Sequence, residues 1–259
     1  MATSATSDQL LVIIDPAARQ GDGESVRIAK DVLSAGAAAK VCLPDSPEEF
    51  ARVLGRRGSR RPVVVGDDRA LVRAVSLLHR HRELSDCALS VVPVGPASLA
   101  RSLGVPPGAV AAARAVLEGS VRRLDLLVDD SDGVVLGCLG IPPAAEPVGV
   151  LPGHPWLRSL VRRVVHGGAV RLRVDLDGET VTDLDHPVET VSISPLGHGL
   201  ASVQIHPSPT LPTSAHTITV TGENFHYHAD GVPSGPVRRR TWRVAEGAWG
   251  LVVPGGSRG

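Results

Sequence analysis

Three largely apolar runs in the first half of the chain limit its fold more than any other feature. "LLVIID" (10–15), "PVVVG" (62–66) and "ALSVVPVG" (88–95) lack the polar alternation of a strand with one wet face. They read as short strands buried on both faces, each closed by a turn residue. Helical patterns separate them. Residues 23–35 place Val26, Ala29, Val32 and Leu33 on one side. A further strand, "AKVCLP" (39–44), precedes "SPEEFARVLGRRG". There Ser46 suits a helix cap, Pro47 the first turn, Glu48 and Glu49 the positive helix end, and Gly58 a stop. Residues 69–82 read as another helix, as do "SLARSLG" and "PGAVAAARAVLEG", before a strand at 122–129. This alternation of strand and helix predicts a parallel sheet covered by helices.

The second half changes period. "GIPPAAEPVGVLPGHP" (140–155) reads as a connector, and "WLRSLVRRVV" as a short helix. In "VRLRVDLDGETV", Val170, Leu172, Val174 and Leu176 face one side, with Arg171, Arg173 and Asp175 on the other. Asp177-Gly178 is a strong two-residue hairpin signal. "ETVSISP", "LASVQIHP", "HTITVTG", "NFHYHAD", "RTWRV" and "WGLVVPG" continue as short strands. An antiparallel, sandwich-like β lobe is the expectation.

Composition narrows the function classes. With 42% hydrophobic residues but 2% aromatics, the core must be built from Val, Leu and Ala. The 27 basic residues balance 27 acidic ones, which argues against a general nucleic-acid binder. Cys42, Cys87 and Cys138 are too far apart for a zinc pattern or a disulfide framework, and suit a reducing cytoplasm. "MATSATSDQ" lacks the basic and apolar regions of a signal peptide, and no run of about 18 apolar residues occurs. The expectation is a cytoplasmic protein.

Two places carry chemistry-bearing residues. In "VVVGDDRALVRAV" (63–75) a strand ends at Gly66 and meets Asp67 and Asp68 before a helix. Strand, glycine turn and helix is a phosphate-holding layout, because backbone amides can converge on an anion there. Asp67 and Asp68 equally suit helix capping. In "FHYHADG" (225–231), His226, His228 and Asp230 share one strand face. That face could supply a general base or hold a divalent metal, or simply be a polar strand face turning at Asp230-Gly231. "RRR" (238–240) reads as a solvated edge that could also attract phosphate or an anionic membrane.

The order of these segments resembles the diacylglycerol kinase catalytic family, bacterial lipid kinases distantly similar to NAD kinases. The resemblance spans roughly 10–255. Where the family has a strand ending in Asn-Pro and then a glycine, this chain has Asp15-Pro16-Ala17-Ala18-Arg19-Gln20-Gly21. Where the family has Gly-Gly-Asp-Gly-Thr, it has Gly66-Asp67-Asp68-Arg69-Ala70. "PVGPASLARSLG" (93–104) stands for Pro-x-Gly-Thr-Gly-Asn-Asp-Phe-Ala-Arg-Ser-Leu-Gly. "LEGSVRRLDLL" places Asp125 at the family's strand aspartate. Asp230-Gly231-Val232 stands for Asp-Gly-Glu, and "WGLVVPG" for the terminal strand.

The resemblance implies a two-lobed lipid-kinase/NAD-kinase-like fold, with an N-terminal parallel α/β lobe over 8–135 and a mainly β lobe over 136–255. It implies ATP with Mg²⁺ near Asp15, Pro16, Gly66, Asp68, Arg69 and Gly95. Asp230 would be the base that accepts a proton from a lipid or other small hydroxyl substrate, reached through peripheral membrane contact. No resident metal site is implied. The residue chemistry points the other way. Asp67 and Arg69 replace two loop glycines, Ala70 the threonine and Val232 the glutamate. Pro96 also removes a backbone donor. Two classes therefore stand: an ATP-dependent lipid kinase, and a kinase-fold protein without that activity that binds a lipid, nucleotide or protein.

Overall fold

The computed structural model describes residues 9–141, 169–207 and 213–255. The helix expected over 156–165 and most of the 140–155 connector lie outside them. The chain forms two compact units, Met1–Leu124 with Gly247–Gly259, and Asp125–Glu246. The first unit includes the end of the last strand.

The first unit is built on the apolar runs. β1 (Leu10–Ile14), β2 (Ala39–Cys42), β3 (Arg61–Gly66) and β4 (Ala88–Pro93) pair in parallel in the order β2-β1-β3-β4. The end of β14 (Val232–Val253) adds beside β4, where Leu251 meets Leu89. Every residue of β1 is buried, as a strand covered on both faces requires. α2 (Gly23–Gly36) buries Val26, Ala29 and Leu33, and α4 (Asp68–Arg80) buries Ala70, Leu71, Ala74, Val75 and Leu78. These are the 3.6-residue faces that the sequence pattern predicts. α3 (Pro47–Gly55) starts as expected: the Glu49 amide donates to Ser46 Oγ at 3.2 Å. α6 (Ala109–Glu118) packs against α2, and α3 against α4. Two short helices complete the unit, α1 (Pro16–Gly21) and α5 (Ser98–Ser102). α1 is an addition to the helices expected from the sequence.

The second unit is antiparallel. β5 (Ser120–Asp129) leads into it and pairs with β6 (Val134–Val135). β7 (Leu139–Ile141) lies between β10 (Thr190–Gly197) and the end of β13 (Thr217–Ala229). β11 (Leu200–His206) and β12 (Thr213–Ala215) extend the sheet beyond β10. β8 (Leu172–Leu176) pairs with the start of β13 and with β9 (Glu179–Thr182). The segments expected as separate strands at 216–222 and 224–230 are one strand, β13, with a register shift between Thr221 and Phe225. Two-residue turns close two hairpins. Asp177 and Gly178 have φ of +49° and +91°, and Asp230 and Gly231 have +49° and +78°. Both central residues left-handed is the geometry that favours Asp-Gly. The core carries three of the chain's six aromatics. Tyr227 and Trp242 meet edge to face at 5.4 Å, with Phe225 beside Tyr227 at 6.4 Å.

Candidate functional site

In the first unit, β1 has β2 on one side and β3 on the other. The loops leaving β1 and β3 therefore diverge, and such a point at the carboxyl ends of parallel strands is where open α/β sheets hold ligands. Asp15, Pro16, Gly66, Asp67 and Asp68 all sit there. The Asp15 amide donates to the Val65 carbonyl at 2.9 Å, tying the two loops together. Gly66 is required by close approach: a Cβ there would stand 3.0 Å from Asp15 Cβ and 2.8 Å from Ala70 Cβ. Gly95, with φ of +96°, brings the β4 loop within 3.6 Å of Asp67 Cβ, measured from the position of an added Cβ. The sequence-derived residues of this unit are thus gathered at one place.

What the carboxylates do there is specific. Asp15 accepts from the Ala17 amide at 2.9 Å and caps α1. Asp67 accepts from the Ala70 amide at 2.9 Å and caps α4. Asp68 reaches across to α5, whose own N-cap residue, Ala97, supplies no side-chain bond. Asp68 Oδ2 accepts from the Leu99 amide at 2.8 Å and the Ser98 hydroxyl at 3.2 Å, and Oδ1 from the Ala100 amide at 2.9 Å. Ser98 is the first residue of this helix and a donor to Asp68. The Asp68 amide in turn donates to the Pro96 carbonyl at 3.0 Å. Three helix N-termini at the switch point are therefore filled by carboxylates of the chain itself.

Arg69 is exposed, and Pro16 half-buried. Arg73, one turn further along α4, is the residue that sequence reasoning missed. Its Nη1 donates to Asp15 Oδ2 at 2.7 Å, and its guanidinium carbon lies 5.6 Å from the centre of the buried Phe50 ring. Asp15 and Arg73 are 58 positions apart, and no local pattern links them.

ATP with Mg²⁺ does not fit these residues. A phosphate needs free amide donors, and the amides of Ala17, Ala70, Leu99 and Ala100 already serve carboxylates. A phosphate charge about 4 Å from one carboxylate would meet a repulsion of roughly 4 kcal/mol at an effective dielectric near 20. Among the described residues, no group of three or more His, Cys, Asp or Glu is placed to hold a metal ion.

Asp230 belongs to the second unit. It accepts from three successive amides, those of Leu136 (2.7 Å), Gly137 (2.8 Å) and Cys138 (3.0 Å). Its own amide donates to the Cys138 carbonyl at 2.9 Å. The carboxylate sits in a backbone nest, an arrangement that stabilises an anion. His226 is exposed and His228 half-buried on the same strand. Asp125 accepts from the Gly199 amide at 2.8 Å. Arg240, the last of the three arginines, bonds Asp130 at 2.6 Å and is partly buried, whereas Arg238 and Arg239 are exposed.

The fold is of the lipid-kinase type, a parallel α/β unit joined to an antiparallel β unit. Solved structures with the same fold come from Bacillus anthracis str. Sterne and are described as diacylglycerol kinases, two of the three by assignment alone. One superposes with a TM-score of 0.75 at 15% identity, covering 96% of this chain and 98% of the other. A second gives a TM-score of 0.76 at 14% identity, with the same coverage. A third gives 0.74 at 15% identity over 97% of this chain. No family model and no curated protein matches the sequence.

Proposed function

We propose that this chain is a diacylglycerol-kinase-fold protein that works by binding, without ATP-dependent phosphoryl transfer. One observation carries the reading: Asp15, Asp67 and Asp68 occupy the helix N-termini at the switch point, where a kinase of this fold would need open amides. A carboxylate cap adds about 1 kcal/mol to a helix. Substitutions that weaken a phosphate cradle would thus strengthen the scaffold. The Asp230 nest fits the same pattern, with a carboxylate used to hold backbone.

The second reading is a lipid kinase that transfers phosphate from ATP, with Mg²⁺, to a lipid hydroxyl, Asp230 taking the proton. Its support is the fold likeness over nearly the whole chain. On either reading we place the protein in the cytoplasm, in keeping with its three unbridged thiols. Among the described residues no helix is long and apolar enough to cross a membrane. Transfer of labelled phosphate from ATP–Mg²⁺ to diacylglycerol in mixed micelles separates the readings. The binding reading expects the same lipid label as in a protein-free control. Label that depends on the protein and falls in Asp230→Asn would establish the kinase.

A further inference from the structure

We infer that Asp15 and Arg73 together decide what the switch-point crevice accepts: Arg73 is its anion-binding group, and Asp15 holds that group shut against phosphate. This deepens the binding reading and rests on it. Arg73 is the basic side chain directed into the junction of the β1 and β3 loops, where it meets Asp15 at 2.7 Å. Its side chain is still 34% exposed, while that of Asp15 is 6% exposed. The Arg73 side chain therefore stays partly open to solvent, while the Asp15 carboxylate is buried. The Phe50 ring adds a cation–π contact to the same guanidinium. A guanidinium can grip phosphate with two parallel donors, but only with its planar fork unoccupied and its charge uncompensated.

The geometry makes Asp15 difficult to move away. One oxygen is held by the Ala17 amide, and its Cβ lies against Gly66. An incoming phosphate would have to displace a buried carboxylate that is bonded through both oxygens. An asparagine at this position keeps an oxygen for the Ala17 amide and presents a neutral amide to Arg73. The charge of Asp15, not its size, is then what withholds Arg73 from the anion.

Calorimetric titration with sodium tripolyphosphate, free of nucleotide and metal, tests this. Asp15→Asn and Asp15→Ser, each retaining a capping oxygen, are expected to bind at least tenfold more tightly than wild type. Adding Arg73→Met to either should abolish the gain. Equal affinity in wild type and both folded single variants, whether measurable or nil, would overturn the inference. So would a gain that survives Arg73→Met. Circular dichroism and melting temperature establish that each variant is folded, and two substitutions guard against one of them failing. The binding reading itself fails differently, by phosphate transfer from wild type.

Discussion

Asp68 shows how a residue read as chemistry can be architecture. Its two oxygens satisfy two amides and a hydroxyl of α5, a helix whose own cap position is alanine. Removing a partner from part-buried amides costs about 1–3 kcal/mol. Asp68→Ala should therefore lower stability by that amount in urea unfolding. A change within about 0.5 kcal/mol, typical of a surface site, would show the bonds contribute nothing. Asp230 offers a parallel test. Asp230→Ala leaves the Leu136, Gly137 and Cys138 amides without their acceptor. It also places alanine at φ of +49°, a conformation asparagine tolerates better. Asp230→Ala should destabilise by roughly 2 kcal/mol or more, and Asp230→Asn by clearly less. A residue serving as a general base alone would leave unfolding unchanged in both.

At the scale of elements, the β3 turn into α4 is set by how closely Gly66 approaches Asp15 and Ala70. Gly66→Ala puts a methyl group at 3.0 Å or less from both. Overpacking of this kind costs about 1–3 kcal/mol. We expect a melting temperature lower by several degrees; an unchanged value would mean the turn has room to spare. Much of this architecture was legible in the sequence. Continuous apolar runs gave the parallel strands, Ser46 and Pro47 the start of α3, and Asp177-Gly178 a hairpin. Each of these signals is local. What was not legible depends on distant partners. Asp68 caps a helix 31 residues away, and Arg73 finds Asp15 only through the fold. The β13 strand was hidden because Gly222 and Asn224 look like a break, while the sheet absorbs them in a register shift. α1 was missed because a Pro-Ala-Ala-Arg-Gln-Gly stretch is too short to show helical period, although Asp15-Pro16 is a sound helix start.

At the scale of the whole molecule, fold and chemistry separate. The chain superposes on the diacylglycerol kinase structures over 96% of its length, yet identity is 15%. A scaffold can be kept by its apolar pattern while its loops change, since core packing and loop chemistry rest on different residues. Here the loop acids cap helices of the scaffold at the carboxyl ends of the parallel strands. The direct measurement is the melting temperature of the wild-type protein with and without millimolar ATP–Mg²⁺. A ligand at a hundred times its dissociation constant adds about 2.7 kcal/mol. For a chain of this size that is a rise on the order of 5–10 °C. We predict no rise. A saturable rise of that size, with Kd in the micromolar range, would contradict the claim that the chain's own carboxylates have closed the nucleotide site.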